Sequence, residues 1–114
     1  MSLTIAEILT LQSEFDRNHA GATPFFVEIN EKNLCELEHL IVCMVGELGE
    51  FANIVKKVRR GDFPLADVKP DLDEELVDVF IYLLKIAGQT NVDLEAGFLE
   101  KRKRNIDRFA KYRK

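Results

Sequence analysis

Apolar residues recur at alternating steps of three and four through most of this chain, and no stretch shows the strict alternation of a strand. The clearest run is Leu34, Leu37, Ile41, Met44, Leu48, Phe51, Val55 and Val58. It predicts one long helix from about Glu31 to Arg60, closed by Gly61 as a C-terminal glycine. Ile5, Ile8, Leu9, Leu11 and Phe15 predict a first helix over residues 3–18, ended by His19-Ala20-Gly21. Residues 22–27 then read as a loop carrying the aromatic pair Phe25-Phe26.

Residues 61–72 contain Pro64 and Pro70 and read as a second loop, with Asp71 and Glu74 marking a helix start. A third helix is expected from about Leu72 to Ala87, stopping at Gly88. Asn91 or Asp93 would cap a fourth, over residues 94–112, with Phe98, Ile106 and Phe109 turned inward. The pattern predicts a single all-α domain over residues 1–114, a four-helix bundle with a long second helix.

Length changes that picture. A helix of 30 residues is about 45 Å long, longer than the core of one small domain. Val42, Val45 and Ala52 also form a second apolar face beside the main stripe. Both points predict a homo-oligomer, a dimer or a tetramer, with the second helix at the interface.

Composition is ordinary for a soluble globular protein, at 46% hydrophobic and 32% charged residues. No apolar run approaches the roughly 20 residues that span a bilayer, and no signal pattern opens the chain, so no membrane is expected. Cys35 and Cys43 form no CxxC pair, which predicts plain thiols in a reducing, cytoplasmic setting. The net charge of −4 is unevenly placed. Residues 101–114 hold eight Lys/Arg against Asp107, leaving −11 on residues 1–100. An acidic body argues against general nucleic-acid affinity, and a basic end suits an anionic ligand or the dipole of the last helix.

The candidate chemistry lies in two acidic pairs, Glu47-Leu48-Gly49-Glu50 and Glu75-Leu76-Val77-Asp78. A spacing of three puts both members of a pair on one helix face. The second pair leads into Val79-Phe80-Ile81-Tyr82-Leu83-Leu84, a nearly continuous apolar stretch. A carboxylate desolvated there must be protonated, paired or bound to a cation. Gly46 and Gly49 each cost a helix interior about 1 kcal/mol against alanine, which implies close backbone approach or room for a ligand. Oxygen ligands without Cys or His favour Mg²⁺, or Mn²⁺, over zinc.

Gly46-Glu47-Leu48-Gly49-Glu50-Phe51, followed by residues Glu74 to Leu84, resembles the MazG-type all-α nucleoside triphosphate pyrophosphohydrolases. Their signature is an ExxE pair, a variable spacer and an ExxD pair. The resemblance continues through Asn91-Val92-Asp93-Leu94 to Lys101 and Asn105, and covers roughly residues 44–109. It implies Mg²⁺-dependent hydrolysis of a nucleoside triphosphate to the monophosphate and pyrophosphate, with Glu47, Glu50, Glu75 and Asp78 as metal ligands. Glu47 or Glu50 would also orient the attacking water. Lys101 and Asn105 match the family's phosphate contacts, and Tyr82 matches a tyrosine common in the family.

The chain departs from that pattern where small-nucleotide members carry a tryptophan after the first motif. It has none, and Lys56-Lys57 stand there. Phe15, Phe25 or Phe26 could offer a stacking surface instead. A ferritin-like di-metal oxidase would need two Glu-x-x-His motifs, and only Glu36-Leu37-Glu38-His39 is present. The other rivals are a nucleotide sensor and a non-catalytic helical protein that binds a partner or nucleic acid through residues 101–114.

Overall fold

A computed structural model describes residues 2–114. The described chain is all-helical: α1 (Ile5–Arg17), α2 (Leu34–Arg59), α3 (Leu65–Gln89) and α4 (Leu94–Arg108), then a 3₁₀ turn over Ala110–Tyr112. Among the described residues, no helix is long and apolar enough to cross a membrane.

The helix ends follow local chemistry. Thr4 opens α1 with a capping box: its hydroxyl accepts from Glu7 N–H and Glu7 accepts from Thr4 N–H, each at 3.0 Å. Gly61, at φ 91°, closes α2 as expected. Its N–H reaches the Val58 carbonyl at 3.0 Å and the Asp62 N–H reaches the Lys57 carbonyl at 3.0 Å, the paired bonds of a Schellman end. Asp93 caps α4 by accepting from Ala96 N–H at 3.0 Å.

The expected loop over residues 61–72 is mostly helix. Pro64 stands at the N-cap of α3 and Pro70 lies inside its second turn. A proline at a helix entrance loses a bond that has no partner there, so Pro64 marks the start of α3 and not a break before it, whereas Pro70, beyond the entrance, gives up one backbone bond of the helix. Asp71 and Glu74 are therefore interior residues, not a cap. At the other end α3 runs through Gly88 to Gln89. A Cβ at Gly88 would stand 2.7 Å from Ser13 Oγ, so this glycine lets α1 lie close against α3. The last helix stops at Arg108, before the expected residue 112.

α3 is the central element, packed along α2 on one side and α1 on the other. Hydrophobic burial there is modest: Leu40, Leu72, Leu84 and Ala87 are the fully buried apolar residues among those described. Asp16 is buried too, ion-paired to Lys85 Nζ at 2.6 Å and bonded to Gln12 at 3.0 Å. Buried Gln89 fastens the loop before α2. Its side chain accepts from Val27 N–H at 3.2 Å and donates to the Phe25 carbonyl at 3.0 Å, while its own carbonyl accepts from Ile29 N–H.

α4 differs from the others. It packs on α1, makes no comparable contact with α2 or α3, and has no buried residue. The chain as a whole is open in consequence. It exposes 8885 Å², whereas a folded monomer of 13.1 kDa exposes roughly 6,400 Å². Its radius of gyration is 17.5 Å, against about 13 Å for a compact domain of this length.

Candidate metal centre

The short turn between α2 and α3 returns the chain on itself, so residues of the two helices meet in antiparallel order. Glu47 on α2 thereby comes opposite Glu75 and Asp78 on α3. One carboxylate oxygen from each of the three lies within 4.8 Å of the others, and all three residues are half-buried. Glu50, one turn beyond Glu47, is exposed at the rim of this cluster and close enough to act on the Glu75 carboxyl.

The cluster is electrostatically unbalanced. Glu75 Oε2 is buried and accepts no hydrogen bond. Its nearest polar neighbours are other carboxylates, which offer lone pairs and no proton unless one is held between them. Hydrogen bonding with Glu47, desolvation and the Glu50 carboxylate push the Glu75 pKa up to about 7 from 4.5. The ion pairs among the described residues lie elsewhere: Arg60 with Asp62, Lys69 with Asp73, and Lys85 with Asp16. The donor set is all hard oxygen, converges from two helices and contains a buried oxygen without a donor. It fits a divalent cation of the Mg²⁺ or Mn²⁺ kind.

Tyr82 stands one turn beyond Asp78, near enough for Glu47 and Asp78 to act on its phenol, and it lines a cavity of about 270 Å³ whose other walls are not cluster residues. Burial first, then Cys43, Glu47 and Asp78, raise the Tyr82 pKa above its ordinary value, which keeps the phenol protonated. Phe25, His39, Lys85 and Gln89 also line this cavity. Phe25 belongs to an aromatic column, with His19 stacked between it and Phe15. Phe26 takes a different part, under the Arg17 guanidinium at 4.1 Å. Of the three aromatics offered by the sequence as a stacking surface, Phe25 is the one on the cavity wall.

His39 and Lys85 carried no sequence signal for this position. His39 lies two helical turns before Glu47, a spacing that could have placed it on the same face. Lys85 is set there by Asp16, 69 residues away, which no local pattern reveals.

Lys101 and Asn105 are not joined to the cluster within this chain. Both lie on α4, whose main packing partner is α1. Gly46 and Gly49 also differ from expectation: a Cβ at either would meet nothing within 4 Å, so no close backbone approach explains them inside one protomer. The structure thus defines an all-helical protein with a three-carboxylate cluster and a partly aromatic cavity. Comparison of the chain with protein-family models, with curated proteins and with solved structures gave no match.

Proposed function

We propose that this chain is a Mg²⁺-dependent nucleoside triphosphate pyrophosphohydrolase that releases a nucleoside monophosphate and pyrophosphate. The observation that carries the reading is the convergence of Glu47, Glu75 and Asp78 around a buried Glu75 oxygen with no donor. Three carboxylates repel a triphosphate; the same three with divalent cations attract it. When bound, such cations supply an acidified water and neutralise charge on the leaving pyrophosphate. The chain's own residues do the rest. Glu47, Glu75 and Asp78 hold the cations, and Glu50 at the exposed rim completes the set and can orient the attacking water. The cavity, walled by Phe25 and Tyr82 with His39 and Lys85 at its polar side, receives the nucleoside. Lys101 and Asn105 are the donors for phosphate oxygens that no cation covers.

The working unit in this reading is a homo-oligomer. The excess exposure of about 2,500 Å² per chain is the scale of an obligate interface. Val42 and Val45, 68% and 58% exposed, would lie within it. A non-catalytic protein that binds a partner through residues 101–114 is the second reading, favoured by the exposure of α4.

Pyrophosphate release from a panel of nucleoside triphosphates separates the two. The enzyme reading expects release with Mg²⁺ and none with EDTA. Absence of release from every nucleotide, with metal present, leaves the partner-binding reading.

A further inference from the structure

Two thiols and an imidazole stand in one row along α2. Cys35, His39 and Cys43 follow one another at steps of four, so they share a side of the helix. Spacing alone makes the two thiols equivalent, and the structure does not. His39 Nε2 stands 3.7 Å from Cys43 Sγ, a hydrogen-bonding separation for sulfur. Cys35 shares no such bond with His39 among the described residues. Cys43 is half-buried with a partner, and Cys35 is exposed. Cys43 is therefore not the plain thiol that its spacing from Cys35 predicts.

A second partner comes from α3. Cys43 is among the groups that hold the proton on the Tyr82 phenol, so Tyr82 offers an O–H to the same sulfur. His39 and Tyr82 both line the cavity of about 270 Å³, which gives a small molecule a route to the two groups that touch the thiol. These are the parts of an activated nucleophile: a thiol, a base within reach of its proton, and a donor for the atom that arrives. In the tautomer with its proton on Nδ1, His39 has a free lone pair on Nε2 to accept from the thiol.

Two other uses of the row do not fit. The three-ligand group among the described residues is Glu47, Glu75 and Asp78, so His39 and Cys43 lack the further ligands of a zinc site. Cys35 lies roughly 12 Å from Cys43 along the helix axis, beyond the reach of a disulfide.

We propose that Cys43 is a modification site, oxidised by a hydroperoxide to the sulfenic acid with His39 as the base. The thiol proton passes to His39 Nε2 as the sulfur attacks the terminal peroxide oxygen. An S–O bond forms and the O–O bond breaks; the sulfur gives up two electrons and the peroxide gains them. The departing hydroxide or alkoxide takes the proton back from His39, so the products are Cys43 sulfenic acid and water or an alcohol. Two equivalents of an external thiol return Cys43 to its free form, leaving as their disulfide and water. The added oxygen stands one turn before Glu47 and against Tyr82, so oxidation slows nucleotide turnover. That consequence rests on the pyrophosphohydrolase reading; the oxidation itself rests on the geometry of the thiol.

The test compares both thiols of one protein. Wild-type chain is exposed to hydrogen peroxide for short intervals and trapped with a 1,3-diketone that alkylates sulfenic acids, and each cysteine peptide is quantified by mass spectrometry. Cys43 should gain label at least about tenfold faster than Cys35 despite its lower exposure. Accessibility alone gives the reverse order. His39→Gln, at an exposed position, should bring Cys43 down to the rate of Cys35 or below, with helix content and melting temperature showing that the fold is kept. Equal labelling, faster labelling of Cys35, or a Cys43 rate unchanged in folded His39→Gln overturns the proposal.

Turnover supplies the second readout. Peroxide should remove most of the Mg²⁺-dependent turnover of wild type, dithiothreitol should restore it, and Cys43→Ala should keep its turnover throughout. Equal loss in both proteins overturns the link between Cys43 and turnover. If wild type turns over no nucleotide at all, the order of labelling still decides the modification, and only the enzymatic reading falls.

Discussion

Glu75 is the residue whose proton decides what the cluster can hold. Its pKa of about 7 lies above the ordinary 4.5, so the folded chain binds more protons than the unfolded one between those values. The stabilisation from a protonated Glu75 is present below about pH 4.5 and is lost as pH rises through about 7. The metal-free protein should therefore melt at lower temperature as pH rises across that window, and Glu75→Gln should flatten the trend. In the proposed reading a cation displaces the same proton. Mg²⁺ added at about pH 6 should release protons to the buffer, read by calorimetry in buffers of different ionisation enthalpy, and release should vanish above about pH 8. Proton release that is unchanged in Glu75→Gln would place the titrating group elsewhere.

The other residues of the cluster carry a simpler expectation. Asp78→Ala should lower metal-dependent turnover by at least about a hundredfold, while leaving metal-free stability equal or higher because a repelling carboxylate is gone. Lys85→Ala should do the opposite to stability. It strands Asp16, 1% exposed, without its cation, and urea unfolding should report a loss of about 3–5 kcal/mol. The acidic pairs were legible because a spacing of three marks a helix face. The Asp16–Lys85 pair was not, because a contact across 69 residues leaves no local trace.

At the scale of elements, reading helices from periodicity succeeded where the punctuation was unambiguous. Gly61 is the plainest case: its φ of 91° is one that L side chains avoid, so Gly61→Ala should cost about 1–2 kcal/mol in thermal unfolding. Proline misled because its meaning depends on position. Pro64 at a helix entrance and Pro70 within the helix look alike in sequence, and only the packing of α3 against α2 decides that the helix starts early. Pro70 still withholds one backbone donor there, so Pro70→Ala should raise stability by about 1–3 kcal/mol. A lower melting temperature for that variant would mean the proline fits a bend the chain needs. Gly88 misled in the opposite sense, since it serves close approach to Ser13 and not termination.

At the scale of the molecule, the sequence carried two signs of an assembly: a helix too long for one small core, and the second apolar face at Val42 and Val45. The extended shape, with a radius of gyration of 17.5 Å, agrees with both. What the sequence could not convey is where α4 goes, because that depends on the turn at Asn91, whose φ is 59°. Lys101 and Asn105 were legible as a pair on one helix face, but within this chain their helix packs mainly on α1 and does not bring them to the cluster. Sedimentation at micromolar protein should give a dimer or tetramer. Charged replacements at Val42 and Val45 together should shift it towards the monomer, with loss of stability.

The central claim is the chemistry of the cluster, and product analysis by ³¹P NMR tests it most directly. A nucleoside triphosphate incubated with the protein and Mg²⁺ should give equal amounts of nucleoside monophosphate and pyrophosphate. EDTA should stop the reaction, and Asp78→Ala should not support it. Formation of diphosphate and inorganic phosphate would contradict cleavage between the α and β phosphates. A spectrum that stays unchanged for every nucleotide, with wild-type protein and metal present, would contradict the account altogether.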